Sequence, residues 1–496
     1  MHSKLITLGT LIVGLTIALI LAIQVGQGEF QTVYITTVLL FSIPILLFMG
    51  LRSWYTLPFA MLAELPALPL FAGRSVSLSE MCVVMFSGLM TMAVLQGRKK
   101  FVIKLGDWWP MLIYAGWVLM IAVINGGGFA ILGSAAIGGR RYLTVLLAIM
   151  GMLMLSQMSI GEKEAKRVCW LICISMILSG IYLAGSALLG RLSNEGVYAF
   201  YSWQQSLSFI SLGGIFLLFA RYKPSEIILS PWKAFLYLLL LAIAAYAGKR
   251  MAFAACCVIP LISCFWHRQA IVAVAIAMMG SVGIIGVIAV QNEITAIPRS
   301  LQRVLAFIPA DWDHDVEQST DNIFRDTLNR WAMIKVRERP IFGKGVTLTV
   351  EDHSLMLNPQ YVSQIKFSDD DVQAFPHIAG KNWHSTWLGL SATFGIPAAI
   401  AWIFVQLFVL RRSWILGHRW GLDVWCKTLT GMIFFFMFFG IMRSLSSGDV
   451  AVLAMGGGLY LGLMSAIKNG IHYEERELQG KEGQSVNQTI VAVNSM

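Results

Sequence analysis

The chain has 496 residues, of which 57% are hydrophobic and only 13% charged, a composition that excludes an ordinary water-soluble globule. Its formal net charge of +10 invites a nucleic-acid reading, but the excess sits in short loops beside apolar runs, which argues against one. All seven cysteines (Cys82, Cys169, Cys173, Cys256, Cys257, Cys264, Cys426) fall inside apolar runs, so no disulfide framework is implied.

Apolar runs of roughly 20 residues recur along the whole length, long enough to cross about 30 Å of hydrocarbon as helices. They are continuous rather than alternating, which rules out transmembrane strands. The expected spans lie near 5–24, 32–50, 54–72, 76–96, 108–124, 142–159, 168–189, 205–220, 234–248, 250–266, 270–290, 384–410, 424–442 and 450–467. The first follows a short basic start at Lys4 without a small-residue cleavage site and reads as a retained span. The third contains Pro58, Pro66, Pro69 and Glu64 and reads as a broken or re-entrant helix. The fold class is an all-α polytopic membrane protein, with about 12–14 transmembrane helices and one large, partly helical periplasmic loop. Four regions follow: N-terminal helices over 1–290, the loop over 291–383, C-terminal helices over 384–467 and a polar cytoplasmic tail over 468–496.

Loop charge sets the orientation. Arg98-Lys99-Lys100, Lys163, Lys166, Arg167, Arg221, Lys223, Lys233, Arg268, Arg411, Arg412, Arg419 and Lys468 share one side, which the positive-inside rule makes cytoplasmic. The opposite side should be poor in basic residues, yet it carries Arg74, Arg140, Arg141, Arg191, Lys249, Arg250 and Arg443 near span ends. These either snorkel to lipid headgroups or converge on one anionic ligand, for which the planar arginine fork is well suited. Gly126-Gly127-Gly128 and Gly138-Gly139 frame one loop on this side, as plain turns or as backbone able to approach an oxyanion.

The segment 291–383 carries thirteen of the 27 acidic residues and ten basic ones, a net charge of −3. A loop of this length between spans is usually functional. Within it, a helix is expected from a cap at Ser319, Thr320 or Asp321 to the stop at Pro340, with Phe324, Leu328, Trp331 and Ile334 at helical spacing. Arg330 and Arg337 share a face of that helix and Arg325 points elsewhere. A tight turn, Pro340-Ile341-Phe342-Gly343-Lys344-Gly345, follows. Asp369-Asp370-Asp371 is a solvated patch or, less simply, a cation site. His314, His353 and His377 have no zinc spacing.

Arg325, the 340–345 turn, His384-Ser385-Thr386-Trp387-Leu388 and Phe394-Gly395-Ile396-Pro397 together resemble the bacterial O-antigen ligase and polymerase superfamily. Gly248-Lys249-Arg250-Met251-Ala252 is similar to that family's Ser-Arg-small element, with Lys249 in place of the serine. Asn329 stands where the family has an aromatic four residues after the arginine, so Arg325 and Arg330 both remain candidates. The resemblance implies a periplasmic-face glycosyltransferase of the bacterial inner membrane. It would move a glycan from undecaprenyl pyrophosphate to a sugar hydroxyl, without metal or other cofactor. His384 would be the base, and Arg325 and Arg250 would neutralise the leaving pyrophosphate. Arg74, Arg140, Arg141, Arg191, Lys249 and Arg330 would bind substrate. The implied partners are the lipid-linked glycan, an acceptor glycan or lipid A core, membrane lipids and other polysaccharide-assembly proteins. The length of the loop and its anionic patches favour a polysaccharide polymerase. The alternatives are an O-antigen ligase acting on lipid A core and, from another class, a flippase of lipid-linked sugars.

Overall fold

The computed structural model describes residues 50–62, 68–70, 74–76, 78–102, 105–125, 140–192, 196–290, 302, 304–305, 321–346, 385–444 and 454–473. The first two expected spans, most of the long polar segment, the Asp369–Asp371 triplet, His384 and the tail beyond 473 lie outside the described residues. What is described is almost wholly helical, as continuous apolar runs require.

A 3-10 turn over Gly50–Tyr55 leads into α1 (Thr56–Leu62), followed by a small antiparallel hairpin of β1 (Leu68–Leu70) and β2 (Arg74–Val76). The hairpin pairs Leu68 with Val76, Pro69 with Ser75 and Leu70 with Arg74. The proline-rich third run is thus a short helix followed by a hairpin, as proline's missing N–H and locked φ demand. Then come α2 (Leu78–Leu95), α3 (Leu105–Ile124), α4 (Arg140–Leu155), α5 (Glu162–Leu192), α6 (Gly196–Arg221), the short α7 (Pro224–Leu229), α8 (Pro231–Tyr246), α9 (Arg250–Trp266) and α10 (Ala270–Val290). Within the polar segment lies α11 (Asp321–Glu338). Next are α12 (Thr386–Phe394), α13 (Ile396–Gly417), α14 (Val424–Ser444) and α15 over residues 454–473. Among the described residues α3, α13 and α14 are long and apolar enough to cross a membrane, and six further apolar helices are shorter.

The antiparallel pair α3/α13 sets the frame. Asp107 meets Arg412 at 2.6 Å at one end, and Trp109–Phe408, Tyr114–Trp402 and Trp117–Phe394 contacts follow in register towards the other. The outer stripes of both helices, Ile113, Met120 and Val123 on α3 and Ile400, Phe404 and Leu407 on α13, are exposed, as lipid-facing side chains must be.

Helix α15 is the most enclosed. Leu459, Leu461, Leu463, Met464, Ala466 and Ile467 are fully buried. Its glycines permit the approach: a Cβ on Gly458 would strike the Ala148 backbone, one on Gly462 would lie 2.8 Å from the Leu155 Cβ, and one on Gly457 would lie 3.0 Å from the Trp402 ring. Small residues at this spacing let membrane helices pack on their backbones. The helix runs past the expected end of its span, and the early tail residues lock it in place. Lys468 and Ser465 reach Asp107 at 3.5 and 3.3 Å. Asn469 Nδ2 donates to the Ser156 and Met158 carbonyls at 2.8 and 2.7 Å.

These contacts define two ends of the bundle. The basic face carries the Asp107–Arg412–Lys468 cluster, residues 156–167 and the α13 end, where His418 Nε2 lies 2.9 Å from the Trp266 carbonyl oxygen of α9. The opposite face therefore carries the starts of α4, α9, α12 and α15 and the end of α3.

Candidate functional site

The expected span from 384 is not one helix. It breaks at Gly395, whose φ of 87° and ψ of 162° suit glycine alone, and Pro397 follows in the first turn of α13. Pro397 has no N–H to give the Thr393 carbonyl, and a break of this kind strands the last carbonyls of α12 inside an apolar bundle. The fold supplies each of them with a donor from elsewhere. The Lys344 N–H donates to Ala392 O at 3.0 Å and the Gly345 N–H to Thr393 O at 2.8 Å. Trp117 Nε1–H, on α3, donates to Phe394 O at 2.8 Å. In return the Ile396 N–H donates to Pro340 O at 2.8 Å.

The polar segment therefore returns at 340–346 as a plug in the helix break. Gly343 and Gly345, at φ 61° and 73°, turn the chain at this close approach. Val346 is 1% exposed, and the Phe342 ring stacks on Trp117 with centroids 6.4 Å apart. Helix α11 delivers the plug. Its Leu328 and Ala332 are buried on the side that packs against α12, while Arg330, Arg337 and Ile334 are exposed. The expected start and stop of this helix agree with the structure. Glu338, in its last turn, pairs with Lys344 in the plug and lies 4.0 Å from Lys335. The hydrogen bond from Lys344 and the neighbouring cations hold the Glu338 carboxyl below its usual range, against a partial burial that opposes them.

Near the plug and the start of α4 stand residues to which sequence reasoning gave no site role. Tyr142 meets Phe394 edge to face at 5.9 Å, and Asn125 flanks Gly345. Glu80, buried at the start of α2, accepts from Thr144 Oγ1 of α4 at 3.2 Å. Asn125 Nδ2, Thr393 Oγ1 and Trp387 Nε1 are buried with no hydrogen-bond partner among the described residues. Trp387 and Phe394 already belong to the motifs read in the sequence, whereas Tyr142 and Thr144 become notable only through Phe394 and Glu80, far away in the chain.

The basic residues singled out in the sequence fall into separate places. Arg140 and Arg141 open α4, and Arg141 is 8% exposed beside Tyr142 at the plug. Lys249 is the N-cap residue of α9 and Arg250 its first residue, both half-buried. The main packing partners of α9 are α6, α8, α10 and α14, so no described contact brings Arg250 to the plug. Arg191 lies in the last turn of α5 and Arg74 on β2. Arg330 is exposed on α11, and Arg325 is in the same helix without a described side chain. His384 lies outside the described residues; Ser385, the N-cap residue of α12, is buried.

Both basic pairs occupy helix N-termini, where the backbone already presents positive charge and free N–H groups. Two cations there add to the field instead of cancelling it, an arrangement suited to an anion.

The fold and this face define an all-α, multi-pass membrane protein with a turn docked into a helix break and arginine-bearing helix starts. Residues 235–403 match the family described as O-antigen ligase. That segment takes in α9, α11, the plug and the Gly395 break, so over about a third of its length the chain is similar to that family. It leaves Arg74, Arg140, Arg141 and Arg191 outside. No curated protein matches the chain.

Proposed function

We propose that this chain transfers a glycan from undecaprenyl pyrophosphate to an acceptor sugar hydroxyl at the periplasmic face of the bacterial inner membrane, acting as a polysaccharide polymerase. The observation that carries the reading is the docking of the 340–346 turn into the Gly395 break, within the matched segment and on the face where α4 and α9 open with basic pairs. A departing pyrophosphate needs fixed positive charge in a water-poor place. Arg250 and Lys249 at the start of α9, and Arg140 and Arg141 at the start of α4, supply it without a metal. Arg325, Arg330, Arg191 and Arg74 are the further candidates for holding the anionic donor. His384, one residue before the buried cap of α12, takes the proton of the attacking hydroxyl.

A second reading, ligation to lipid A core, is favoured by the family description itself. Purified protein given only the lipid-pyrophosphate-linked repeat unit separates the two. A ladder of products supports polymerisation, whereas product only after lipid A core is added supports ligation. Transfer should persist in EDTA and be abolished by His384→Ala. A His384→Ala protein that still forms product would remove that residue from the mechanism, and no transfer by the wild type under any donor would overturn the proposal.

A further inference from the structure

On the basic face, away from the plug, three cations gather around two rings. Lys166 Nζ of α5 stands 5.5 Å from the Trp425 ring centroid and the Arg221 guanidinium of α6 stands 5.2 Å from the same ring. Arg221 also lies 5.5 Å from the Tyr222 ring, and Lys233 Nζ of α8 lies 3.9 Å from it. Arg221, Tyr222, Lys233 and Trp425 are half-buried, and Lys166 is exposed.

Positive groups brought this close repel one another, and a cation–π contact at a partly exposed site returns only about 0.5–1 kcal/mol. A carboxylate would be the ordinary remedy. Asp107 on this face is taken by Arg412 and Lys468, and the other described acids there, Glu162, Glu164, Glu226 and Asp423, form no ion pair with the three cations among the described residues. Glu164 instead accepts the Gly161 N–H at 3.2 Å and faces Arg167. The N–H donors of Lys166, Arg221 and Lys233 make no hydrogen bond among the described residues, so the contacts that hold these cations are with the rings.

The neighbouring surface is apolar and open. Leu229 of α7 is 81% exposed, Trp232 at the start of α8 is 70% exposed, and the Phe235 ring stacks on Trp232 at 5.8 Å. The exposed stripe continues along α8 through Leu238, Leu239 and Tyr246, so it runs from the cation cluster down the lipid-facing side of the bundle. An anion that fits both parts has a phosphate at one end and hydrocarbon at the other.

We propose that Lys166, Arg221 and Lys233, seated on Trp425 and Tyr222, bind the headgroup phosphate of an anionic phospholipid, with its acyl chains along Trp232, Phe235 and Leu238. The site joins α5, α6, α8 and α14, and its occupant ties the ends of these helices together on the face that the charge distribution makes cytoplasmic. It is independent of the glycan-transfer reading.

The test uses the full chain purified in detergent, with lipid binding followed by native mass spectrometry and by the melting midpoint. The probes are dioleoyl phosphatidylglycerol, dioleoyl phosphatidylcholine and inorganic phosphate. Phosphatidylglycerol should bind and raise the midpoint, more weakly as salt rises, while phosphatidylcholine and inorganic phosphate should do neither at the same concentration. Each cation near an anionic lipid is worth about 1 kcal/mol, so Arg221→Gln should weaken phosphatidylglycerol roughly fivefold and the Lys166→Gln, Arg221→Gln, Lys233→Gln triple variant roughly a hundredfold. The charge-keeping triple Lys166→Arg, Arg221→Lys, Lys233→Arg should retain binding, which separates loss of the site from misfolding. Equal affinity for phosphatidylcholine, binding of inorganic phosphate as tight as the lipid, or wild-type affinity in Arg221→Gln would each overturn the proposal.

Discussion

Gly395→Ala attacks the junction between the 340–346 turn and the helix break on which the proposed site is built. At φ 87° and ψ 162° an alanine occupies a region nearly reserved for glycine, a strain of about 1–3 kcal/mol. Its Cβ would also overlap the Ile341 carbonyl group and stand 3.1 Å from the Phe342 nitrogen, so the plug must retreat. Three main-chain hydrogen bonds then go: Ile396 N to Pro340 O at 2.8 Å, Lys344 N to Ala392 O at 3.0 Å and Gly345 N to Thr393 O at 2.8 Å. At about 0.5–1.5 kcal/mol each they add roughly 1.5–4.5 kcal/mol, giving a total of roughly 2.5–7.5 kcal/mol. Even the lower figure shifts the docked-to-undocked ratio on the order of a hundredfold. The rest of the bundle packing is untouched, so the variant should still insert. Glycan transfer at matched protein concentration should fall at least tenfold, by about 1.4 kcal/mol or more. A cysteine at Val346, which is 1% exposed, should label much faster in the variant. Gly421→Ala is the reference, because Gly421 has φ 75° with nothing within 4 Å and pays strain alone. Wild-type transfer and unchanged Val346→Cys labelling in Gly395→Ala would refute the docking argument.

Arg250→Lys keeps the charge at the start of α9 but loses the two-pronged donor, so transfer from a purified lipid-pyrophosphate donor should drop about tenfold or more, one charge-assisted contact being about 1.5–3 kcal/mol; near-wild-type rates would leave Arg250 as a headgroup anchor only. A cysteine at Ser354 should react with an impermeant thiol reagent added outside spheroplasts, and labelling only after lysis would reverse the orientation. Asp107→Asn leaves Arg412 and Lys468 without their carboxylate at the α3/α13/α15 end and should cost up to about 3–5 kcal/mol, read as a melting midpoint several degrees lower. The Glu338 carboxyl is held below its ordinary value of 4.5 chiefly by Lys344, so the link between α11 and the plug is intact at neutral pH and is lost as pH falls through and below that range. Amide exchange over 340–346, corrected for its intrinsic pH dependence, should rise at acid pH in the wild type and be high and flat across that range in Glu338→Gln.

Much of this protein is legible one residue run at a time. Hydropathy over a run of span length is a local property, and it is decided before any contact forms. The spans that became α3, α9, α10 and α14, and the helix α11 stopped by Pro340, could therefore be read in order. Proline acts locally too, which is why the third run was already expected to break. The family resemblance rested on the same kind of information, short stretches with their side-chain types intact.

What tertiary structure decided is where orphaned backbone groups found partners. Hydropathy carries the run from 384 to 410 as one span, because Gly395 and Pro397 are as compatible with an apolar segment as their neighbours. Only in the fold does the break expose three carbonyls, and their donors come from Lys344, Gly345 and a tryptophan 277 residues away in the chain. The same holds for α15. Its glycines read as ordinary residues of a last span until Ala148, Leu155 and Trp402 close upon them, and Lys468 reads as the start of a tail until Asp107 stands opposite. Sequence alone determined that this chain lives in a membrane and which of its stretches carry arginine. Which of those arginines border the plug, with Arg141 beside it and Arg250 at a separate helix start, depended on packing between distant segments, because a side chain's electrostatic role is set by its neighbours in space and those neighbours are chosen only when the helices assemble.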